Sequence, residues 1–188
     1  MALGTREILL KETETLLRTR GYAAFSYADL AEKVGIRKAS IHHHFPTKEA
    51  LGAALIDSYL DDFRAALAAI LERETAATDR LARYTEFFVS SMEGGMMPLC
   101  GALSAEAFVL PQSLQERVKG FFELHLDWLS QVIRDGKKAG ELKAELKPRQ
   151  TATLILSTLE GASLVAWALK DPSTIKPAIS AVIRSIEA

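Results

Sequence analysis

A chain of 188 residues, 48% hydrophobic and 25% charged, has the composition of an ordinary globular protein with room for one or two compact domains. A single cysteine excludes an intrachain disulfide framework and fits a reducing, cytoplasmic compartment. The net charge of −1 hides an uneven split: residues 1–48 carry eight Lys or Arg against five acids, and the remainder 15 against 19. A basic N-terminal end therefore precedes an acidic body, a distribution suited to meeting phosphates at one end only.

Nearly every periodic segment reads as helix, with no alternating β-branched run between hairpin turns, so the expected fold is all-α with about nine helices. Charges arrive early in the first residues and no apolar stretch precedes a small-residue cleavage site, so no secretory signal is expected. The first helix is predicted over Thr5 to Thr19, from the spacing of Ile8, Leu9, Leu16 and Leu17, with Gly21 after its end. Ser26 and Asp29 form a capping-box start for a short helix that buries Leu30 and Val34. Gly35-Ile36 makes a tight turn, and a second short helix runs from Lys38 to Phe45, where Pro46 ends it. A long helix follows over about residues 48–71, then one over 78–92 closed by Gly94-Gly95. A short apolar helix is predicted over 99–109, and a long one from Pro111 to about Gly140. On that long helix Leu114, Val118, Phe121, Phe122, His125, Leu129, Val132 and Ile133 share one face.

Pro148–Leu169 and Ser173–Ile186 complete the chain. The first of these is apolar nearly all round, and Gln150 to Leu169 would suffice in length for a bilayer. Glu160 in its middle, with Thr and Ser residues around it, favours a buried or subunit-facing helix over a membrane span.

The informative stretch is Gly21 to Leu51. Two short helices joined by a Gly-containing turn have the shape of a helix-turn-helix, whose second helix enters the major groove. Ile41 and Phe45, four apart, turn toward Leu30 and Val34, which leaves Arg37, Lys38, Ala39, Ser40, His42 and His43 on the opposite surface. Cations there bind phosphate, hydroxyl and imidazole groups hydrogen-bond phosphates or base edges, and Ala39 permits close approach. Lys48 opens the following helix, where backbone N–H groups already favour a phosphate.

This run resembles the TetR family of bacterial regulators. The matching positions are Gly21-Tyr22, Ser26, Asp29-Leu30-Ala31, Gly35-Ile36, Ile41-His42-His43-His44-Phe45 and Thr47-Lys48-Glu49-Ala50-Leu51. The resemblance implies a DNA-binding domain over residues 1–50 and an effector-binding and dimerisation domain over 51–188. It places Tyr27, Lys38, Ala39, Ser40, His42, His43 and Lys48 at DNA-contact positions. His42 stands where the family usually has tyrosine; an imidazole, titrating near ~6.5 when unperturbed, would make DNA affinity pH-sensitive. The implied partners are a pseudo-palindromic double-stranded operator, a small-molecule effector, and a second copy of the chain bound through the last two helices, about 148–186. Repression is the family habit. No cofactor is implied.

Residues expected to line the effector pocket are Phe88, Met92, Met96, Cys100, Phe108, Phe122, His125, Trp128 and Trp167, an aromatic and sulfur-rich set that also suits plain core packing. The segment 99–106 resembles a branch of the family with a cysteine at this place, some of whose members respond to electrophiles or small unsaturated acids. Cys100 thus reads either as a sensor or as an inert core residue. The three consecutive histidines do not converge on a metal, because neighbouring helical side chains point about 100° apart. No phosphate loop, G-x-S-x-G elbow or H-E-x-x-H motif appears, so enzymatic readings have no support; a purely structural helical interaction protein is the stronger rival.

Overall fold

The computed structural model describes residues 4–188. Among them lie nine α-helices: α1 Thr5–Arg20, α2 Tyr27–Val34, α3 Lys38–His44, α4 Lys48–Arg73, α5 Ala77–Glu93, α6 Leu99–Ala105, α7 Gln112–Ala139, α8 Pro148–Leu169 and α9 Ile175–Ile186. A 3-10 turn, Pro172–Thr174, precedes α9, and the only extended pairing among the described residues is the isolated antiparallel bridge Leu142–Glu187. The all-α expectation holds. The largest boundary difference is in α6, which stops at Ala105 instead of continuing to 109. Beyond it the backbone tightens into successive three-residue turns, with Glu106 N–H donating to Leu103 O, Ala107 N–H to Ser104 O and Val109 N–H to Glu106 O.

Residues 4–62 and 99–120 form one compact unit; residues 63–98 and 121–188 form the other. The first buries Leu9, Leu17, Leu30, Ile41, Leu51, Ile56, Leu103 and Leu114. α1 packs on α2 and on α6, and α2 on α3. The second buries Leu81, Tyr84, Leu129, Ile133, Leu159 and Ile175, with α8 packed on α9 and both on α5.

Local chemistry explains the short helices of the first unit. Ser26 Oγ accepts from the N–H of Ala28 (3.1 Å) and Asp29 (3.4 Å), while the Asp29 carboxylate accepts the Ser26 N–H at 2.7 Å. The hydrogen bonds from Ser26 hold the Asp29 carboxyl below the usual carboxylate range. Gly35 ends α2 in the left-handed conformation (φ 75°), donating to Ala31 O.

The loop between α1 and α2 has no regular structure of its own and is tied down from two sides. Lys48 Nζ donates to Tyr22 O at 2.5 Å and also to Phe25 O, and it lies 4.6 Å and 4.2 Å from the centres of the Tyr22 and Phe25 rings. Burial pulls this ammonium below its ordinary pKa, against the opposing effect of the Glu106 and Asp29 carboxylates. From the other side, the Glu106 carboxylate accepts the Ala23 N–H at 2.7 Å. Gly21 permits that approach: its φ is +94°, and a Cβ there would sit 1.8 Å from Glu106 Oε1.

Three stability outcomes follow. Lys48→Met keeps an apolar stem over the two rings but leaves the Tyr22 and Phe25 carbonyls unpaired, and should lower unfolding free energy by about 2 kcal/mol in urea titrations. On α7, a Cβ at Gly136 would meet Ala77 Cβ at 2.6 Å and Leu142 Cδ1 at 2.8 Å, whereas one at Gly120 would meet nothing within 4 Å. Gly136→Ala should therefore destabilise by roughly 1–2 kcal/mol, and Gly120→Ala stabilise by about 0.5–1 kcal/mol through helix propensity.

Candidate functional site

The sequence of α3 divides its residues between two environments. Ile41 and Phe45 are buried beside Leu30, with Val34 half-buried at the edge. Arg37, the residue that caps α3, and Lys38, Ala39, Ser40, His42 and His43 are all exposed. These six side chains cover one continuous outward surface of one short helix. They offer two permanent cations, two imidazoles, a hydroxyl and a methyl, a set able to bind phosphate and to touch base edges.

Two further residues expected at DNA contacts make internal bonds. The half-buried Tyr27 donates its hydroxyl to Phe45 O at 2.9 Å, its ring edge lies against His42 at 4.9 Å, and burial pushes its phenol up to about 12. It therefore anchors the end of α3 and props the His42 ring. The His42 Nδ1 in turn lies 3.1 Å from Pro46 O, so this nitrogen carries a proton and donates it, leaving Nε2 to face outward. Lys48 is engaged with the loop carbonyls, as described above. Tyr27, His42 and Lys48 thus set the position of α3 relative to the loop and to the start of α4. Glu106 belongs to the same support and was missed in the sequence, where it is one acid among many on a helix end. Only its 83-residue separation from Ala23 hides it.

In the second unit, Phe88, His125 and Trp128 come together in a buried aromatic cage. His125 stacks on Phe63 at 4.5 Å and lies 4.3 Å from Phe121 and 6.3 Å from Phe88. Tyr84, fully buried, stacks on Trp128 at 5.3 Å and is hydrogen-bonded through its hydroxyl to His125 Nδ1. Burial alone depresses the His125 imidazole to about 3, so it is neutral at every physiological pH. Glu160, the acid in the middle of the apolar α8, acts on Tyr84 electrostatically and is itself raised to about 7 by burial.

The other expected lining residues do not join this cage. Met92 and Trp167 border a separate cleft of about 410 Å³ with Gly95, Ala166, Lys170 and Pro172. Met96 and Phe122 are half-buried. Cys100 is 1% exposed and lies in the first unit. Phe108 requires a correction: α6 ends before it, and it stands fully exposed on the turn that follows instead of on the face of a helix. Tyr84 and Phe63, which complete the cage, were not singled out, because a tyrosine or phenylalanine on an amphipathic helix carries no signal that separates a cage from a core.

Comparison with known proteins agrees with this geometry. Residues 9–55 match the family described as "Bacterial regulatory proteins, tetR family", and residues 77–182 match the "Tetracyclin repressor-like, C-terminal domain". The fold superposes on a TetR-family transcriptional regulator from Agrobacterium tumefaciens with a TM-score of 0.93 and 31% identity, covering 97% of each chain. The chain is 28% identical to the transcriptional repressor NemR of Escherichia coli K12, over 86% of this chain and 83% of that one. It is 30% identical to the nucleoid occlusion factor SlmA of Marinobacter nauticus, over 78% and 73% of the two chains. With both halves matched and the helix-turn-helix in place, the chain belongs to the tetR family of bacterial regulatory proteins.

Proposed function

We propose that this chain is a transcriptional repressor that binds a pseudo-palindromic operator as a homodimer and releases it when a small molecule occupies the second unit. The observation that carries the reading is the outward face of α3, where Arg37, Lys38, Ala39, Ser40, His42 and His43 are exposed while Ile41 and Phe45 anchor the helix. A twofold dimer sets two such helices in successive major grooves. Phosphate contacts from Arg37 and Lys38 supply affinity, and Ser40, His43 and Ala39 meet base edges.

Dimerisation through about residues 148–186 is supported by α8 and α9. α8 leaves Leu154, Leu164, Val165, Trp167 and Leu169 exposed in the single chain, a large apolar surface for a soluble protein. The same helix is long and apolar enough to cross a membrane. Buried Ser163 and half-buried Glu160 fit a subunit surface in a cytoplasmic regulator better. Effector control rests on population shift: a ligand that favours a form with misplaced recognition helices weakens operator binding. α4 contributes Lys48 to the first unit and Phe63 to the second, which makes it the natural transmitter.

The test is a salt-titrated gel shift on DNA from upstream of the protein's own gene, with unrelated DNA as competitor and mass measured in solution. Specific binding by a species of twice the chain mass is expected, with Lys38→Ala/His43→Ala weakening it by about a hundredfold. No binding even at low salt, or a sharply monomeric mass at micromolar concentration, would return the chain to the class of helical interaction proteins.

A further inference from the structure

The second unit holds two buried hydrogen-bond donors with nothing to donate to. His125 is 2% exposed and Trp128 8% exposed, and His125 Nε2 and Trp128 Nε1 are closed from solvent without a partner. The tautomer of His125 follows from its neighbour. Tyr84 is fully buried and its hydroxyl is pushed well above its ordinary pKa by that burial, so it keeps its proton. The recorded partner of the hydroxyl is His125 Nδ1, which must therefore accept. A neutral imidazole that accepts at Nδ1 carries its hydrogen at Nε2. Nε2–H and the indole N–H thus belong to side chains three residues apart on α7, both of whose rings pack against Tyr84. Native interiors pair such groups, and an orphaned pair calls for an explanation beyond packing.

We propose that His125 Nε2–H and Trp128 Nε1–H are the donor pair for the carbonyl oxygen of a neutral ligand whose body is apolar or aromatic, taken into the cage of Phe63, Tyr84, Phe88 and Phe121. The rings around His125 supply stacking surface for such a body. A carbonyl oxygen has two lone pairs and can accept from both donors. Charge selects against an anion. The imidazole is held neutral and supplies no opposite charge, so a carboxylate would be desolvated there without a cation to meet it. Because both nitrogens are closed from solvent, the ligand reaches them only by parting the rings stacked on His125. This names the ligand class of the effector site and rests on the regulatory reading above only for its consequence, not for its chemistry.

The test uses the full-length protein with ¹⁵N-labelled tryptophan and three probes of similar shape: acetophenone, ethylbenzene and benzoate. The chain has two tryptophans, so the Trp128 indole signal is identified by its loss in Trp128→Phe. Acetophenone should move that signal downfield and saturate. Ethylbenzene, which lacks the acceptor, and benzoate, which is charged, should each bind at least about tenfold more weakly, and His125→Phe should weaken acetophenone by about tenfold. Equal binding of acetophenone and ethylbenzene, tighter binding of benzoate, or no movement of the Trp128 signal up to the solubility limit of acetophenone would overturn the proposal. The probe contrast is read on the wild-type chain, so it stands even if a variant fails to fold. Gel shifts on the same preparations separate the two readings: a Trp128 response without any operator binding supports the site and removes the repressor, and the reverse removes the site alone.

Discussion

The Lys48 ammonium, donating to the carbonyls of Tyr22 and Phe25 between their two rings, is what turns a loop without regular structure into a rigid support for α3. Five residues, 21–25, separate α1 from the cap of α2, and they contribute almost no secondary-structure bonds of their own. Without an external donor, the two carbonyls would lack the partner that Lys48 gives them, at a cost of about 1–3 kcal/mol for each buried unpaired group. Lys48 is also the first residue of α4, so the same side chain fixes where the long helix begins relative to the loop. Glu106 closes the opposite side by taking the Ala23 N–H, and Gly21 makes room for it. Tyr27, bound to Phe45 O, holds the C-terminal end of α3.

This arrangement separates two jobs that polar residues near a recognition helix are often assumed to share. Arg37, Lys38, Ser40 and His43 have exposed side chains free to meet DNA. Tyr27 and Lys48 are half-buried and already hydrogen-bonded within the unit. A backbone held by internal bonds presents the exposed set without further ordering, which is what pre-organisation contributes to affinity. In the second unit the balance is different. There the apolar cage encloses polar atoms that its own residues leave unpaired, and the unit retains a protonatable acid in an otherwise apolar helix.

Much of the first unit was legible because its signals are local. The Ser26–Asp29 box, the Gly35 turn, the Pro46 stop and the four-residue spacing of Ile41 and Phe45 each act over a few residues, and each appears where the sequence indicates. What could not be read depends on distant pairing. Nothing near Glu106 reveals that its carboxylate reaches Ala23, and an apolar run gives no reason for α6 to stop at Ala105 and leave Phe108 in solvent. The return of residues 99–120 to the N-terminal unit is likewise a property of packing. Lys48 shows the limit most clearly: its type and place suit a phosphate contact, and only the loop carbonyls show where its charge is used. His125 was recognisable as an odd polar residue on an apolar face, but its pairing with Tyr84 was not.

The decisive measurement is the dependence of operator affinity on salt for the wild type, Lys38→Ala and Lys48→Met. A side chain that neutralises a phosphate contributes about one unit to the slope of log affinity against log salt, so Lys38→Ala should lower that slope by about one. Lys48→Met should weaken binding and stability together while leaving the slope at its wild-type value, because the lost bonds lie inside the protein. A Lys48→Met protein of unchanged stability whose slope falls as far as that of Lys38→Ala would make Lys48 a phosphate contact and remove the clamp from the account.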